Sequence, residues 1–137
     1  MFITRESDYA IRVIRALADG EIKTVHEICA VEKVPKQFAY KILKKLERGE
    51  LVKIQRGAHG GYRLFKDASE ITLHCILTSV ADNLYVNECL KEGISCERNQ
   101  EQTPCFIHKE CRRLEEIIMG ALQERNMMEI LDAVKVN

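Results

Sequence analysis

The sequence predicts a mainly α-helical fold that contains one small β-hairpin and a long helix towards its C-terminal end. Apolar residues recur at helical spacing through most of the first fifty residues. The period then changes from 3.6 to 2 around residues 52–65, which is the pattern of two short strands. Residues 104–125 carry apolar positions spaced by four, three, four and three residues, which is typical of a helix that packs against another helix.

Two helices are expected at the start of the chain. Ser7 and Asp8 can cap a first helix, which Gly20 ends after about residue 19. Thr24 and Glu27 match a capping box, in which each side chain satisfies a free backbone N–H of the other, so a second helix should begin there. It should extend to about residue 31, before a tight turn at residues 32–34.

A third helix follows this turn. Pro35 stands where proline is favoured, at the first helical position, and Gly49 can end the helix after about residue 48. One face of this helix is apolar and should lie in the core: Phe38, Ala39, Ile42, Leu43 and Leu46.

The rest of the chain divides into five further stretches. The string RGAHGGYRL, residues 56–64, joins the two short strands and should form the loop of the hairpin. A helix over about 72–82, an irregular segment over 83–104, the long helix over about 104–125 and a short apolar tail over 127–134 should follow. The expected domains are 1–82, an irregular cysteine-rich segment 83–104, and 105–137.

The composition is that of a soluble globular protein, with 137 residues, 46% hydrophobic and 31% charged. The N-terminal MFITRESDYAIRVIRALADG carries charges inside its apolar pattern, so it cannot serve as a signal peptide. No apolar run approaches the ~20 residues that a membrane span needs. We therefore expect a cytoplasmic protein without a membrane partner.

The formal net charge is zero, but the charge is unevenly distributed. Between Lys33 and Lys66 there are ten Lys or Arg residues against two acids, a local charge of +8, so the remainder carries −8. Such a patch indicates a polyanionic partner even in a neutral protein.

Helix, helix, turn, helix and then a hairpin with a basic loop is the order of a winged helix-turn-helix domain. The outer face of the third helix has the chemistry of a recognition helix, since lysines can contact phosphates and Gln or Tyr can reach base edges. This outer face carries Lys36, Gln37, Tyr40, Lys41, Lys44 and Lys45. All of these except Lys45 are the candidate DNA-contacting residues. The alternative is that this basic face is merely solvated.

The glycine-rich loop could hold a phosphate, but not that of a nucleotide cofactor. It lacks the Lys-Ser/Thr of a P-loop and leads into a strand, and it does not match a dinucleotide-binding fingerprint. As the wing of a DNA-binding domain, it would place Arg56 in a narrow minor groove and use His59 as a further donor. Gly57 and Gly60 would allow positive φ and a flat approach to the groove.

Six cysteines are present, and four of them lie between residues 89 and 111. In a reducing compartment such clustering favours metal or redox chemistry over structural disulfides. Cys89, Cys96, Cys105 and His108 could hold an Fe–S cluster, with zinc as an alternative that lacks the usual C-x2-C pairs. Cys111 lies on the apolar seam of the long helix and could instead be packed core. Two further cysteines, Cys29 and Cys75, fall inside helical segments and should be small buried hydrophobes.

These features resemble the Rrf-type winged helix-turn-helix transcription regulators of bacteria. The resemblance covers nearly the whole chain and rests on the strings TRESDYAIRVIRALA, VPKQFAYKILKKLERGELV, RGAHGGYRLFKDASEIT and CLKEGISCERNQEQTPCFIH. It implies a homodimer paired through the long helix, and it places Lys36, Gln37, Tyr40 and Arg56 at DNA-contacting positions.

The same resemblance implies two cluster types. The three cysteines with His108 match a [2Fe–2S] pattern, although the spacings here are longer. The stretch from Cys105 to Cys111, followed by Arg112, resembles the [4Fe–4S] nitric-oxide sensors, which also use an acidic residue of the first helix. Asp8 stands at the matching place and would come from the other subunit.

The sequence therefore predicts a dimeric transcription regulator rather than an enzyme, with repression as the expected mode of action. Its affinity for a pseudo-palindromic double-stranded operator would depend on an Fe–S cluster that senses redox state, nitric oxide or iron–sulfur status. The same fold could instead sense through thiols, zinc or a partner protein. An Fe–S carrier without a role on DNA is the alternative from another class.

Overall fold

The computed structural model describes the backbone of residues 3–135 and the side chains of residues 3–132. Residues 1, 2, 136 and 137, which belong to the predicted segments 1–82 and 105–137, lie outside it. The described residues form six helices and one antiparallel hairpin: α1 (Arg5–Leu17), α2 (Val25–Glu32), α3 (Lys36–Arg48), β1 (Val52–Gln55), β2 (Gly61–Leu64), α4 (Leu73–Val80), α5 (Phe106–Glu124) and α6 (Met127–Lys135). The mainly helical fold with one hairpin is as predicted.

The start of α1 differs from the prediction. Thr4, not Ser7 or Asp8, caps the helix, because its hydroxyl accepts the N–H of Ser7 at 3.2 Å. Ser7 is buried within the first turn, with its hydroxyl 3.0 Å from that of Thr4. The sequence carries three candidates for the cap within five residues, Thr4, Ser7 and Asp8, and packing of α1 against the core selects the first one.

The capping box of α2 is confirmed. The N–H of Glu27 donates to Thr24 Oγ1 at 3.2 Å, and the N–H of Thr24 donates to Glu27 Oε2 at 2.7 Å. The turn to α3 passes through Lys33, which has a left-handed backbone with φ of 55°. Pro35 is the residue before α3 rather than its first helical residue, with an extended ψ of 134°. Its carbonyl accepts the N–H groups of Phe38 and Ala39.

One hydrophobic core lies between α1, α2, α3 and α4. Fully enclosed side chains come from every one of these helices, among them Ile14, Leu17, Ile28, Ile42, Leu43, Leu46, Ile76 and Leu77. Phe38, predicted to be core, is only partly buried and stacks against Tyr9 with ring centroids 5.6 Å apart. This packing fixes the inner face of α3 and leaves its outer face free.

The hairpin pairs Val52 with Leu64 and Gln55 with Gly61. An isolated bridge adds Lys23 beside Tyr62, through two backbone hydrogen bonds of 2.8 and 2.9 Å. Because Val52 and Leu64 are buried against the helices, the base of the hairpin is anchored while its loop projects outward.

The predicted tail is in fact helix α6. Met127 is 1% exposed within the core, and its N–H donates to the carbonyl of Ile71 at 2.7 Å. Thr72 and Asn126 form a bridge next to this bond. The domain boundaries remain a prediction, but the end of the described chain packs back onto the first domain.

The segment over 83–104 is irregular apart from a short helical turn at Glu88–Leu90. It leads into α5, whose bounds agree with the predicted long helix. None of the helices in the described part of the chain has the length and hydropathy needed to cross a membrane.

Candidate nucleic-acid interface and cysteine cleft

The outer face of α3 carries the residues predicted to contact DNA, and all of them are exposed: Lys36, Gln37, Tyr40, Lys41 and Lys44. The buried residues Ala39, Ile42, Leu43 and Leu46 occupy the opposite side of the helix. This division follows from a spacing of three and four residues for each set. The helix therefore presents a continuous polar and basic strip to solvent.

Two lysines of α3 are held by an acidic residue of α1. Glu6 Oε1 lies 3.0 Å from Lys45 Nζ and 3.4 Å from Lys41 Nζ. Burial acts to raise the pKa of Glu6, but hydrogen bonds and charges from Lys45 and Lys41 outweigh it and hold that pKa below its usual value. Lys41 remains 63% exposed, whereas Lys45 is 26% exposed.

The inward position of Lys45 differs from the sequence reading, which placed it on the outer basic face. Its ammonium group also donates to the carbonyl of Val80 at 2.8 Å. Glu6 and Lys45 are thus functional candidates whose contacts were not predicted. No local pattern reveals them, since Glu6 is distant in sequence and reads as an ordinary acidic residue of a first helical turn.

The wing loop exposes Arg56 and His59, as predicted. Gly57 has a φ of +122°, a conformation that side-chain-bearing residues rarely adopt. Gly60 does not have a positive φ, so the prediction is wrong for this residue. Glycine is needed there because a Cβ would stand 2.3 Å from the carbonyl oxygen of Gln55 and 2.9 Å from that of Gly57.

The wing and the recognition helix are neighbours. Partial burial raises the pKa of the Tyr62 hydroxyl, and Glu47 and Tyr40 of α3 lie close enough to raise it further. Lys53 lies over the ring of Phe65, 5.7 Å from its centroid. Helix α3 also packs against β1, the strand that leads into the wing. The strip on α3 and the wing can therefore face one ligand together.

The cysteine-rich segment encloses a cleft of about 560 Å³ against α5. Cys89, Cys96 and His108 line it, together with Asn99, Arg112 and Glu115. Cys105 and Cys111 lie nearby. Desolvation raises the pKa of the Cys89 thiol, and the thiols of Cys111, Cys96 and Cys105 are close enough to raise it further. The fold thus brings Cys89, Cys96 and His108 to one cleft, with Cys105 and Cys111 close to Cys89.

Hydrogen bonds hold this segment to α5. The N–H of Cys105 donates to Asn99 Oδ1 at 3.0 Å, just before the first residue of the helix. The N–H of Val86 donates to Glu115 Oε2 at 3.0 Å. Cys111 is half-buried beside the Asn87 amide, at 3.8 Å from its nitrogen, so it is not packed core within one chain.

The donors in the cleft fit a soft metal centre in chemistry. His108 Nδ1 is buried without a hydrogen-bond partner among the described residues, and Nε2 lies 3.4 Å from Arg112 Nη2. Thiolates with an imidazole are suitable ligands for iron–sulfur clusters and zinc. Between residues 3 and 132, no three His, Cys, Asp or Glu side chains are arranged to hold a single metal ion. A cluster contains several irons, so its ligands stand farther apart than those of one zinc ion.

Three other predicted residues lie outside this cleft. Asp8 pairs with Arg12 at 3.0 Å on α1, and it does not line the cleft of its own chain. Cys29 and Cys75 pack against the core but are only partly buried, which corrects the prediction of fully buried side chains. Desolvation raises the pKa of Cys29, against a smaller lowering by Lys36.

Helix α5 presents an apolar surface that its own chain does not cover. Phe106, Ile107, Leu114 and Ile117 are 80%, 68%, 39% and 54% exposed, and none of the described α5 side chains is buried. The predicted seam, with Ile118 and Ala121, lies within this surface. A contiguous patch of exposed apolar residues usually marks a surface that binds a partner.

Comparisons with known proteins place these features in context. A family model for Rrf2, described as "Iron-dependent Transcriptional regulator", matches residues 3–133. Protein aau3 of Rhizobium meliloti (strain 1021) is 37% identical over 99 residues, which are 70% of this chain and 64% of that protein. The HTH-type transcriptional regulator NsrR of Oceanobacillus iheyensis is 30% identical over 96 residues, 68% of this chain and 65% of that protein. The matches thus span less than two thirds of the length of these two relatives.

A solved structure confirms the winged-helix architecture. The structure of CymR (YrzC), described as the global cysteine regulator of B. subtilis, superposes with a TM-score of 0.79. The match covers 97% of this chain and 98% of that one, at 17% sequence identity. At that identity the likeness concerns the fold.

Proposed function

Because the chain belongs to the Rrf2 family, we propose that it is a dimeric DNA-binding transcription regulator. The observation that carries the proposal is the pairing of an exposed basic strip on α3 with a glycine-rich wing beside it. Both lie in the segment whose charge is +8. A regulator whose overall charge is zero needs such a local field to bind a duplex.

Each part of the interface has a distinct role. The first turn of α3 would enter the major groove, where Gln37 and Tyr40 reach base edges and Lys36 contacts a phosphate. Lys41 and Lys44 would neutralise further phosphates. Arg56, with His59 as a second donor, would follow the adjacent minor groove, and Gly57 and Gly60 allow the close turn that brings them there.

The apolar surface of α5 supports a homodimer. Two copies that pack these helices against each other would cover Phe106, Ile107, Leu114 and Ile117. A two-fold dimer reads a pseudo-palindromic operator, with half-sites about one helical turn, ~34 Å, apart. A small change in the angle between the two halves then changes the fit of both recognition helices at once.

The cysteine cleft supports an Fe–S cluster as the sensor. Cys89, Cys96, Cys105 and His108 would hold a [2Fe–2S] cluster, whereas Cys111, with Asp8 of the partner subunit, would complete a [4Fe–4S] site. A bound cluster supplies a centre that oxidants, nitric oxide or iron shortage can change. The protein's part is to order the segment 89–108 against the start of α5, and so to set the placement of the recognition helices. Repression is the expected outcome on DNA.

The alternative in which free thiols are the sensor is less well supported by the structure. A reactive cysteine needs a lowered pKa, whereas that of Cys89 is raised. A nearby metal cation would reverse this effect, because it favours the thiolate. The Cys89 thiol therefore suits ligation better than direct redox reaction. A carrier without a role on DNA would have no use for the strip and the wing.

The DNA interface is tested by the salt dependence of binding. A duplex selected by the wild-type protein from a random library serves as the ligand, with affinity measured by fluorescence anisotropy at several salt concentrations. Lys44→Ala and Arg56→Ala should each weaken binding and reduce the slope of log K against log salt by about 1.8, because each substitution removes one phosphate contact, worth about 0.9, from both subunits of the dimer. Arg98→Ala removes the same charge from the cysteine-rich segment and should leave the slope unchanged. Equal slopes for all three variants would argue against the interface.

The cluster is tested by anaerobic purification, an absorption spectrum, and analysis for iron, sulfide and zinc. The expected result is a coloured protein with iron and sulfide, and Cys96→Ser should lose both. A colourless protein without iron would exclude the Fe–S sensor, and one equivalent of zinc would support the zinc alternative.

A further inference from the structure

We propose that Lys45 is a positioning residue that fixes the recognition helix α3 to the end of α4, from which the cysteine-rich segment departs. Resting on the proposed DNA-binding function, this assigns Lys45 a role different from that of the adjacent Lys44. Lys44 would contact a phosphate, whereas Lys45 would set where the helix lies.

The contacts of Lys45 are all within its own chain. Its Nζ donates to the carbonyl of Val80 at 2.8 Å and lies 3.0 Å from Glu6 Oε1. The side chain is 26% exposed, although it directly follows the exposed Lys44 on α3. A lysine whose charge is already paired in the free protein releases few counterions on binding DNA, so it contributes little to phosphate affinity.

The Val80 carbonyl, which accepts this hydrogen bond, lies at the end of α4. Val80 is the last residue of α4, and the irregular segment begins immediately after it. Since the carbonyls of the last helical turn have no partner within their helix, Lys45 satisfies one of them. Lys45 therefore joins α3 and α1 to the beginning of the segment that carries the cysteines.

The first residues of this segment are also joined to α5. The N–H of Val86 donates to Glu115 Oε2 at 3.0 Å, and Glu115 lines the cleft together with His108. A rearrangement in the cleft that moves residues 81–86 would therefore displace the carbonyl to which Lys45 is bound. Through Lys45 that displacement reaches the last turn of α3, one turn from Lys41. The route is a continuous set of hydrogen bonds and covalent chain, along which energetic coupling can be carried.

The first test compares two adjacent lysines by the salt dependence of duplex binding. Lys45→Met keeps the aliphatic stem but removes the donor and the charge. It should weaken binding about fivefold, the low end of typical coupling effects, with an unchanged salt slope. Lys44→Ala should lower the slope by about 1.8, since the dimer loses one phosphate contact in each subunit. Lys45→Arg, which keeps charge and donors, should restore most of the affinity. A slope for Lys45→Met that falls as far as for Lys44→Ala, or an unchanged affinity, would overturn the proposal.

A second test uses the wild-type protein and so does not depend on the folding of a variant. Lysines are acetylated with a water-soluble ester, with and without the selected duplex, and each site is quantified by mass spectrometry. Lys44 should react quickly in the free protein and be protected by DNA. Lys45 should react slowly in both states. Fast reaction of Lys45 that DNA suppresses as strongly as at Lys44 would show that Lys45 is a phosphate contact.

A third test measures coupling between the two ends of the route. Glu115→Ala removes the acceptor of the Val86 N–H, far from the DNA interface. If both residues act through one element, the fold-loss in affinity of the Lys45→Met/Glu115→Ala double variant should be smaller than the product of the two single losses. Multiplicative losses would show that the two contacts are independent. A wild-type protein that binds no duplex at all would instead overturn the proposed function, which separates the two failures.

Discussion

Replacing Gly60 by alanine should displace the tip of the wing. The added Cβ would stand 2.3 Å from the carbonyl oxygen of Gln55, whereas ordinary carbon–oxygen contacts begin at about 3.3 Å. The backbone must therefore move by about 1 Å. Both nearest atoms belong to the backbone of the same tight loop, so no side chain can rotate away to make room.

The expected cost has two components. Forcing extra volume into a close-packed place costs about 1–3 kcal/mol. The turn bond from the Gly60 N–H to the Gly57 carbonyl, 3.0 Å long, is lost or lengthened at the same time. For a domain of this size the melting temperature falls by about 4 °C per kcal/mol. Because Arg56 and His59 lie on the displaced loop, binding to the selected duplex should also fall at least about tenfold, or 1.4 kcal/mol.

The assay is thermal unfolding by circular dichroism at one fixed protein concentration, together with duplex binding by anisotropy. A fixed concentration is needed because the stability of a dimer depends on it. His59→Ala is the matched control, since it removes a donor from the same loop without changing the backbone. It should weaken binding while the melting temperature stays constant. A Gly60→Ala protein with wild-type stability and wild-type binding would refute the geometric argument for the wing.

The remaining predictions concern an ion pair, an acid transition and the dimer. Arg15→Ala should lower the free energy of unfolding, measured in urea, by about 3 kcal/mol, because Glu32 is 7% exposed and its buried carboxylate would lose the guanidinium that pairs with it. Replacing both Arg15 and Glu32 by leucine should recover most of the loss. Lys45 and Lys41 hold the pKa of Glu6 below 4.5, so its ionised carboxylate contributes stability above that pH, and this contribution is lost as the pH falls through the lowered pKa. Glu6→Gln should therefore flatten the loss of stability with falling pH in acid. Parallel stability curves for the variant and the wild type would contradict this. Ile117→Glu should give a monomer in sedimentation equilibrium, whereas Gln123→Glu, on another side of α5, should remain dimeric.

Local chemistry explains why much of the fold could be predicted. The capping box of Thr24 and Glu27 needs only residues three positions apart, and the hairpin register follows from alternation around a glycine-rich loop. The choice of Thr4 over Ser7 as the cap of α1 could not be predicted in this way. Both have the right side chain, and only the burial of Ser7 in the finished core separates them.

The candidate site could likewise be predicted only where it depends on local sequence. Exposed residues of α3 follow from helical spacing, and the cysteines follow from their clustering in the sequence. The contact of Lys45 with Val80 depends on how α3 crosses α4, and the role of Gly60 depends on the distance between two carbonyls across a loop. Such distances between elements are set by the packing of the whole core. A spacing rule along the chain contains no information about them.

The hydrogen bond from the Met127 N–H to the Ile71 carbonyl returns the chain to the first domain after the cysteine-rich segment and α5. Residues 81–126 therefore form a long insertion in that domain. Met127, Ile130 and Leu131 share one core with residues 10–80, and the bridge of Thr72 with Asn126 brings the two ends of this insertion together. The entropy of closing such a loop grows only slowly, by about 0.6 kcal/mol for each doubling of its length. Residues 81–126 can therefore be lengthened, shortened or given other ligands at little expense to the DNA-binding half. One scaffold can in this way host many different sensors.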